Sequence, residues 1–443
     1  MANINVREKI VENINVHEKI DNSKFNKFFL GIFVICSLAI IFDGYDLNVF
    51  GVIVPVLMKT EGYTPVQIGS LASYGLAGLV IGSFVFGTLA DIIGRKRTII
   101  ISMVTYSIVT GLIGFSDGFT QFAILRFIAG LGLAGVVPNV VSEITEYTPL
   151  KHRVKLCSMS TVGFPVGTVL ASFLGILFLG KFGWRFMFQI AFLELILVAL
   201  VFFFLPDAID NLLRKKENSK IAKILHKVDA QYAYNDQDMF FSSIAKSEKA
   251  PIASLFTNGN SVNTILFWIA MFMNFYSNFG MQTWLPKLMT MQGYALGSSL
   301  QLLLTFNVGS IFGVILGGII ASKIGYKRTL IMFFLAEAIF FSLLGLNPSM
   351  GILSIILFIS GMAIFGAQGM LNNYIAVNYP MNVRTTAVGF AFGVGRCGAV
   401  VAPMIGAILL QMNVPMYVNF VAFSVPALIG MVALILTRPI QHQ

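Results

Sequence analysis

Twelve stretches of mostly apolar residues follow one another along this chain of 443 residues, and each is long enough to cross a lipid bilayer as a helix. Composition agrees, since 56% of the residues are hydrophobic and only 11% are charged. We therefore predict an all-α integral membrane protein with 12 transmembrane helices in two six-helix bundles. The predicted spans, numbered 1 to 12, cover residues 28–58, 64–93, 98–116, 119–146, 154–180, 184–206, 262–291, 297–322, 329–346, 351–378, 386–411 and 416–437.

The spans fall into two blocks of six, separated by a polar segment with eight basic and seven acidic residues. The predicted organisation is a cytoplasmic N-terminal tail at 1–27, a six-helix bundle at 28–206, a cytoplasmic linker at 207–260, a second six-helix bundle at 261–438 and a C-terminal tail at 439–443. The first tail contains a tandem duplication, NINVREKI followed by NINVHEKI, and is expected to be solvated.

The two blocks are copies of one another. A single constant offset in residue number, without a gap, matches Tyr45 with Tyr276, Pro55 with Pro286, Gly78 with Gly309, Lys96 with Lys327, Arg97 with Arg328, Pro149 with Pro380 and Arg153 with Arg384. A parallel repeat of this kind places a substrate site between the two halves, near the middle of the membrane. The repeat therefore predicts a transporter.

The basic residues predict the orientation, because Lys and Arg accumulate in loops that stay in the cytoplasm. With both termini and the linker in the cytoplasm, 24 of the 30 basic residues lie on that side. Four lie on the opposite side, and Arg126 and Arg396 fall inside predicted spans. The net charge of +10 thus reflects topology, and nucleic acid is not an expected partner.

Asp43 and Asp46 are the only charged residues between Phe28 and Met58 in span 1. A charge in the middle of a bilayer costs at least ~2.5 to 3.5 kcal/mol, so such residues mark substrate or ion pathways. Three positions apart on a helix, the two carboxylates share a face and cannot both ionise at low cost. We expect them to carry the coupling proton. The alternative is that one of them caps or hydrogen-bonds a helix broken at Gly44.

All four histidines lie outside the predicted spans, so a proton that crosses the membrane has to ride on a carboxylate. Asp43 and Asp46 correspond to Asn274 and Ser277 in the second half, which places the proton chemistry in the first bundle. Glu194 is another deep acidic residue, as is Glu337 in span 9, and both are expected to make packing contacts or to be lateral partners.

Arg126 and Arg396 are fixed cations inside the membrane, because arginine does not deprotonate in proteins. A guanidinium group matches a carboxylate with two parallel hydrogen bonds, so both are candidate carboxylate receptors. We expect Arg396 to anchor the substrate. Arg126 either contacts the substrate too or hydrogen-bonds a broken backbone in span 1 and holds Asp43 or Asp46. Further contacts are expected from Tyr45, Asn274, Asn307, Gln368 and Asn372.

GTLADIIGRKR, from Gly87 to Arg97, resembles the signature loop between helices 2 and 3 of the major facilitator superfamily, and GIIASKIGYKR after span 8 is a weaker copy. RFIAGLGLAG, from Arg126, resembles the helix 4 motif of that superfamily. The run DGYD in span 1, with GVGRCGAVVAP in span 11, resembles the aromatic acid:proton symporter family and its benzoate-type members. The resemblance implies the major facilitator fold.

The signature loop and its neighbours are expected to latch the two bundles together on the cytoplasmic side. The expected gating residues are Asp91, Arg95, Arg97, Glu143, Glu146 and Arg153, with Lys327, Arg328 and Arg384 in the second half. Ser322 stands where the first copy has Asp91, so the second latch is expected to be weaker.

The intramembrane charges predict proton-coupled uptake of a carboxylate, and the family resemblance implies that the substrate is a small aromatic acid of the benzoate or hydroxybenzoate type, taken up across a bacterial inner membrane. In the empty carrier an ionised aspartate neutralises an intramembrane arginine, the incoming carboxylate displaces it, and the freed aspartate takes up a proton. Uptake of another organic acid, export of drugs or organic ions, and a transport-incompetent sensor are the alternatives. No enzymatic activity, cofactor or metal is expected, and the carrier is expected to function as a monomer.

Overall fold

The computed structural model describes residues 13–229, 238–242, 251–257, 260–346 and 348–438. Helices make up nearly all of this part of the chain, which confirms the all-α prediction. By length and composition, ten helices in this part of the chain are suited to cross a membrane. The C-terminal tail and the first copy of the duplicated tail sequence lie outside the described residues.

These ten helices cover eleven of the twelve predicted spans, because one long helical stretch contains spans 5 and 6. The helix of span 7 is too polar to be counted among them. The helical stretch Leu150–Phe204 is 55 residues long, and Gly183, with φ of 76°, breaks it where predicted spans 5 and 6 meet. The helix Ser261–Met291 has 31 residues, enough for span 7, but Asn274, Asn278 and Gln282 dilute its apolar character. All three of these side chains are buried, so they face protein and not lipid.

The helices are numbered as the predicted spans. They are Lys27–Thr60 (span 1), Pro65–Ile93 (span 2), Arg95–Ile113 (span 3), Phe119–Leu133 with Val136–Tyr147 (span 4), Leu150–Thr161 with Gly163–Leu174 and Gly175–Leu179 (span 5), Gly180–Gln189 with Ile190–Leu193 and Glu194–Phe204 (span 6), Ser261–Met291 (span 7), Leu296–Ile324 (span 8), Tyr326–Leu343 (span 9), Met350–Asn378 (span 10), Met381–Gln411 (span 11) and Met416–Leu436 (span 12). We call the side of the molecule that holds the tails and the linker the linker side, and the opposite side the distal side.

The sequence repeat is also a repeat of packing. A Cβ atom on Gly78 of span 2 would lie 2.1 Å from the carbonyl oxygen of Phe127 in span 4. The offset that relates the two halves predicts the equivalent pair Gly309 and Phe358, and there too the distance is 2.1 Å. Glycine is needed at both positions because the helix backbones touch, as small residues allow between membrane helices.

The same turn links spans 2 and 3 and spans 8 and 9. Gly94 has φ of 93° and Gly325 has φ of 87°, a backbone conformation that glycine adopts without strain. Each glycine ends one helix and begins the next, so the chain reverses direction between two spans within one residue. The two signature loops thus share one backbone geometry.

The N-terminal tail is docked, which corrects the expectation that it is solvated. Asn13–Asn15 (β1) pairs in parallel with Met239–Phe241 (β2) of the linker, and the short helix Val16–Asp21 follows β1. Ile14, Val16 and Ile20 are at most 2% exposed. They pack in one hydrophobic core with the linker helices Ile209–Arg214 and Asn218–Val228. The spacing of these three apolar residues in the tail was the signal for a buried face.

Candidate functional site

Span 1 carries Asp43 and Asp46 on an unbroken helix of 34 residues, which contradicts the alternative of a helix broken at Gly44. Gly44 instead permits contact with span 5, since a Cβ atom there would lie 2.2 Å from the carbonyl oxygen of Phe164. Both aspartates are at most 3% exposed. Because the backbone of span 1 is intact, Arg126 does not serve to bridge a broken helix.

Asp46 lies near enough to Arg126 of span 4 for the two charges to attract each other, although no salt bridge joins them in the described part of the chain. The Thr110 hydroxyl lies near Asp46, but no well-oriented hydrogen bond from the described residues reaches either carboxylate oxygen of Asp46 or involves the Nε atom of Arg126. The guanidinium of Arg126 lies over the ring of Phe50, 4.8 Å from its centroid. This pair is therefore buried in the first bundle with unused hydrogen-bonding capacity.

A small cavity lies beside Arg126, where span 1 meets span 7. Its volume is about 10 Å³, and its lining includes Asn48, Phe50, Gln282 and Thr283. That is about the room that one water molecule needs. An aromatic acid does not fit here, so this part of the interface is closed in the conformation observed.

Asp43 lies near enough to Arg396 of span 11 for the two charges to interact, so the nearest cation acting on Asp43 belongs to the other bundle, although no salt bridge joins them in the described part of the chain. Arg396 donates a hydrogen bond to the hydroxyl of Ser83 in span 2 and a longer one, of 3.5 Å, to the carbonyl oxygen of Leu79. Its guanidinium also lies 5.0 Å from the centroid of the Phe392 ring. Each aspartate thus has its own arginine, one inside the first bundle and one across the interface.

Spans 2 and 11 diverge from Arg396 toward the linker side. On the distal side they touch, because a Cβ atom on Gly69 would lie 2.6 Å from that of Ala407. On the linker side, a Cβ atom on Gly87, Gly389 or Gly393 would meet no atom of the described residues within 4 Å. We interpret this difference as an opening between the two spans that runs from Arg396 toward the linker side, and we call it the cleft.

Hydrogen bonds between the bundles reinforce the distal closure. The hydroxyl of Ser73 in span 2 donates to the carbonyl oxygen of Val400 in span 11 at 2.7 Å. Asn307 of span 8 donates through Nδ2 to Oγ of Ser172 in span 5 at 3.0 Å. Asn307, a residue expected to contact the substrate, therefore joins the two bundles in this conformation.

Tyr45 and Asn274 are likewise engaged in packing. The Tyr45 hydroxyl donates to the carbonyl oxygen of Met187 in span 6 at 2.6 Å, which directs the ring into the first bundle. Asn274 donates through Nδ2 to the carbonyl oxygen of Ile364 in span 10 at 3.1 Å. The structure brings neither side chain into the lining of the cavity beside Arg126.

Span 7 presents a polar row that the sequence analysis missed. Gln282 donates to Asn278 at 3.1 Å, and Asn278 donates to Gln368 of span 10 at 3.2 Å. Asn274, Asn278 and Gln282 are four residues apart, so they share one helix face. That spacing was the signal in the sequence. Asn372 of span 10 is half-buried, and its Oδ1 atom has no hydrogen-bond partner among the described residues.

Glu194 and Glu337 are both fully buried. Glu194 accepts a hydrogen bond of 3.0 Å from Ser107 of span 3. It also lies near enough to Asp46 for the two carboxylates to repel each other when both are ionised. Glu337 lies by Ser277 in the second bundle, and no well-oriented hydrogen bond reaches either of its carboxyl oxygens from the described residues. The first bundle therefore holds a cluster of three carboxylates, whereas the second holds one isolated carboxyl group.

The expected gating residues of the first half form contacts on the linker side. Arg95 pairs with Glu146, whose other oxygen accepts from the backbone N–H of Ile209 in the linker at 2.5 Å. Arg153 pairs with Asp21 of the docked tail. These contacts tie the first bundle to the linker and tail, and a latch between the bundles stays a prediction.

The remaining gating candidates are distributed as follows. Glu143 is buried without a hydrogen-bond partner for its carboxyl oxygens among the described residues, and the same holds for the Nε atom of Arg384. Asp91, Arg97 and Arg328 are exposed at the loops. Lys327 donates to the carbonyl oxygens of Ile435 and Thr437 at 2.9 and 2.6 Å, within the second bundle.

Comparison with known proteins agrees with this architecture. The model of the Major Facilitator Superfamily matches residues 36–396 and 297–443. A benzoate transport protein of Acinetobacter baylyi is 38% identical over 430 residues, which cover 96% of this chain and 92% of that protein. A gentisate transporter of Corynebacterium glutamicum is 31% identical and covers 89% of this chain and 84% of its own length.

Solved structures of the same fold also match. A partially occluded inward-open structure of the xylose transporter XylE from E. coli aligns with a TM-score of 0.70 at 17% identity. The alignment covers 93% of this chain and 97% of that structure. At this level of identity the likeness concerns the fold.

Proposed function

The chain belongs to the major facilitator superfamily, and we propose that it takes up a small aromatic carboxylate together with a proton. The family consists of multi-pass membrane transporters and not of enzymes. The relatives named for benzoate and gentisate both handle a carboxylate on an aromatic ring, which favours that substrate class here.

The observation that carries the proposal is the proximity of Asp43 to Arg396 where spans 2 and 11 begin to diverge. Arg396 is half-buried and offers a carboxylate a fixed cation, and the buried Asp43 lies near enough to interact with that cation. A substrate carboxylate that reaches Arg396 competes with Asp43 for it. Asp43 then loses its counter-charge and takes up a proton, because a buried carboxylate without a cation is costly.

Asp46 and Arg126 take part in the second step of this scheme, in which the proton is shared between the two aspartates. The two aspartates sense each other's charge, so a proton on one favours ionisation of the other. Asn278 and Gln282 of the polar row, with Gln368 of span 10, lie across the interface from this pair and supply neutral hydrogen-bonding groups. We expect the substrate ring to lie between that row and span 1 when the distal side opens.

The orientation identifies the conformation observed, whereas the pH gradient sets the direction of transport. If the linker side is cytoplasmic, as the basic residues predict, the observed cleft opens to the cytoplasm and the distal closure seals the outer side. One monoanion and one proton cross without net charge, so each unit of pH gradient supplies about 1.4 kcal/mol, a tenfold accumulation. The site needs no cofactor besides the proton, and we expect a monomer in the bacterial inner membrane to suffice.

The test is uptake of radiolabelled benzoate into proteoliposomes with an alkaline interior. We expect accumulation that a protonophore abolishes, and loss of accumulation in Arg396→Ala and Asp46→Asn. Benzamide, which has the ring without the charge, should not compete. Gentisate and 4-hydroxybenzoate as competitors define the tolerated ring substituents.

Two results would contradict the proposal. Benzoate accumulation that ignores the pH gradient would remove the proton from the cycle. Absence of uptake for every aromatic acid, combined with proton-driven efflux of an organic cation, would instead identify an exporter.

A further inference from the structure

The two halves carry the same basic loop in different electrostatic surroundings. In the first half the loop contains three cations, Arg95, Lys96 and Arg97. Three acidic residues of the same half accompany them, namely Asp91, Glu143 and Glu146. The offset between the halves turns these six into Tyr326, Lys327 and Arg328 with Ser322, Tyr374 and Val377. The second copy thus keeps two cations and no anion.

In the first half, the linker covers the loop. Glu146 binds both Arg95 and the backbone N–H of Ile209 at the start of the linker helix Ile209–Arg214. In that helix, the Asn211 amide lies 2.6 Å from where a Cβ atom on Gly94 would be. Glu146 therefore neutralises a positive charge of the loop, and Asn211 of the linker occupies the space beside Gly94.

In the second half, the equivalent place is a cavity of about 540 Å³. Lys327, Arg328, Tyr374 and Asn378 line it, and a Cβ atom on Gly325 would meet no atom of the described residues within 4 Å. Lys327 donates only to neutral carbonyl oxygens, and no ion pair in the described part of the chain involves it or Arg328. Ile435 and Thr437 lie at the C-terminal end of span 12, so its helix dipole offsets part of the charge of Lys327, but no described carboxylate pairs with this loop.

Two further features indicate what fills the cavity. Span 9 begins at this point, so its helix dipole adds partial positive charge, and among the described residues no side chain caps its first turn. The lining also contains two exposed apolar residues, Ile324 at 38% and Val377 at 47%. A soluble anion uses the cations alone, whereas a phospholipid uses both the cations and the apolar rim.

We propose that this cavity binds the phosphate headgroup of an anionic phospholipid, whose acyl chains lie along Ile324 and Val377. The lipid supplies to the second half the negative charge that Glu146 supplies to the first. This site is separate from the transport pathway, and its occupation does not depend on which substrate the carrier moves.

The test uses the full-length purified protein and a fluorescent phosphatidylglycerol, with phosphatidylcholine as the zwitterionic reference. Each basic residue near a membrane surface contributes about 1 kcal/mol to binding an anionic lipid. The double variant Lys327→Gln, Arg328→Gln should therefore raise the dissociation constant about thirtyfold. Lys323→Gln is the matched control, because this exposed lysine lies near the loop but does not line the cavity. It should leave the dissociation constant unchanged.

A second variant, Val377→Glu, keeps the cations and restores the acidic group found in the first half. We expect it to pair internally with the basic loop and to lower lipid affinity as well, which separates a charge effect from misfolding of the double variant. Equal lipid affinity in the wild type and in both variants would overturn the proposal. So would displacement of the lipid by inorganic phosphate as efficiently as by unlabelled phosphatidylglycerol, since that identifies a site for a soluble anion.

Discussion

Arg396 of span 11 donates a hydrogen bond to the hydroxyl of Ser83 in span 2, so the cation expected to anchor the substrate is held by the opposite bundle. The bond lies where the two spans begin to diverge toward the linker side. A carboxylate that binds Arg396 competes with Ser83 as well as with Asp43. Substrate binding and the relation between the two bundles are therefore linked through one side chain.

The variant Ser83→Ala should bind benzoate more tightly in this conformation. Arg396 loses a competing acceptor, and a hydrogen bond to a charged group contributes about 1.5 to 3 kcal/mol, which limits the gain to roughly tenfold to a hundredfold. Titration calorimetry on the purified carrier measures it. Thr88→Ala is the control, because this hydroxyl on span 2 bonds only within its own helix. Unchanged affinity in Ser83→Ala would show that the substrate does not displace this bond.

The variant Asp43→Asn should abolish accumulation driven by a pH gradient while it retains exchange of external for internal benzoate. The amide resembles a permanently protonated carboxyl group, and exchange requires no proton release. Uptake and counterflow assays in the same proteoliposomes measure the two activities. Asp117→Asn, at an exposed loop, should affect neither. Gradient-driven accumulation by Asp43→Asn would remove Asp43 from coupling.

The variant Gly44→Ala should destabilise the carrier, whereas Gly31→Ala on the same helix should not. A Cβ atom on Gly44 would overlap the Phe164 carbonyl oxygen, and such overpacking costs about 1 to 3 kcal/mol or more. A Cβ atom on Gly31 would meet nothing within 4 Å among the described residues, and alanine favours the helix by up to about 1 kcal/mol. Thermal unfolding in detergent compares the two. Equal melting temperatures would mean that spans 1 and 5 do not touch at Gly44.

The variant Glu337→Gln should retain proton-driven accumulation. Glu337 is buried in the second bundle beside Ser277, and no arginine or lysine is among the groups that act on it. The amide keeps the shape of the side chain, so folding is preserved as well. The matched comparison is Glu194→Gln, which alters the carboxylate cluster with Asp46 and should shift the pH dependence of uptake. Loss of accumulation in Glu337→Gln would give the second bundle a proton-carrying role.

Much of the architecture could be predicted because a membrane helix is recognisable from its local sequence. A run of apolar residues spans the bilayer wherever it occurs, and the constant offset that matches residues 45–153 with residues 276–384 revealed the repeat without knowledge of any contact. The offset even locates the equivalent contacts of Gly78 and Gly309. Asp43, Asp46, Arg126 and Arg396 stood out for the same reason, since charges are rare in an apolar background.

Which of these charges face each other was decided by tertiary structure alone. Helix rotation and crossing set the partner of Asp43 to Arg396 and that of Asp46 to Arg126, and a sequence contains no distance between helices. The same holds for Tyr45, whose hydroxyl finds Met187 in its own bundle. The docked tail depended on β1 meeting β2, which lies in the linker beyond the whole first bundle, and no local pattern encodes such a pairing.

The sequence by itself thus determined the membrane class, the two six-helix blocks and the small set of intramembrane charges, because each follows from the cost of placing polar groups in a bilayer. The tertiary structure decided the pairing of those charges, the closed distal side, the cleft below Arg396 and the uncovered basic loop at Lys327 and Arg328. These depend on how two bundles of nearly the same sequence pattern pack against each other and against the linker. Packing of that kind is a property of surfaces brought together in space.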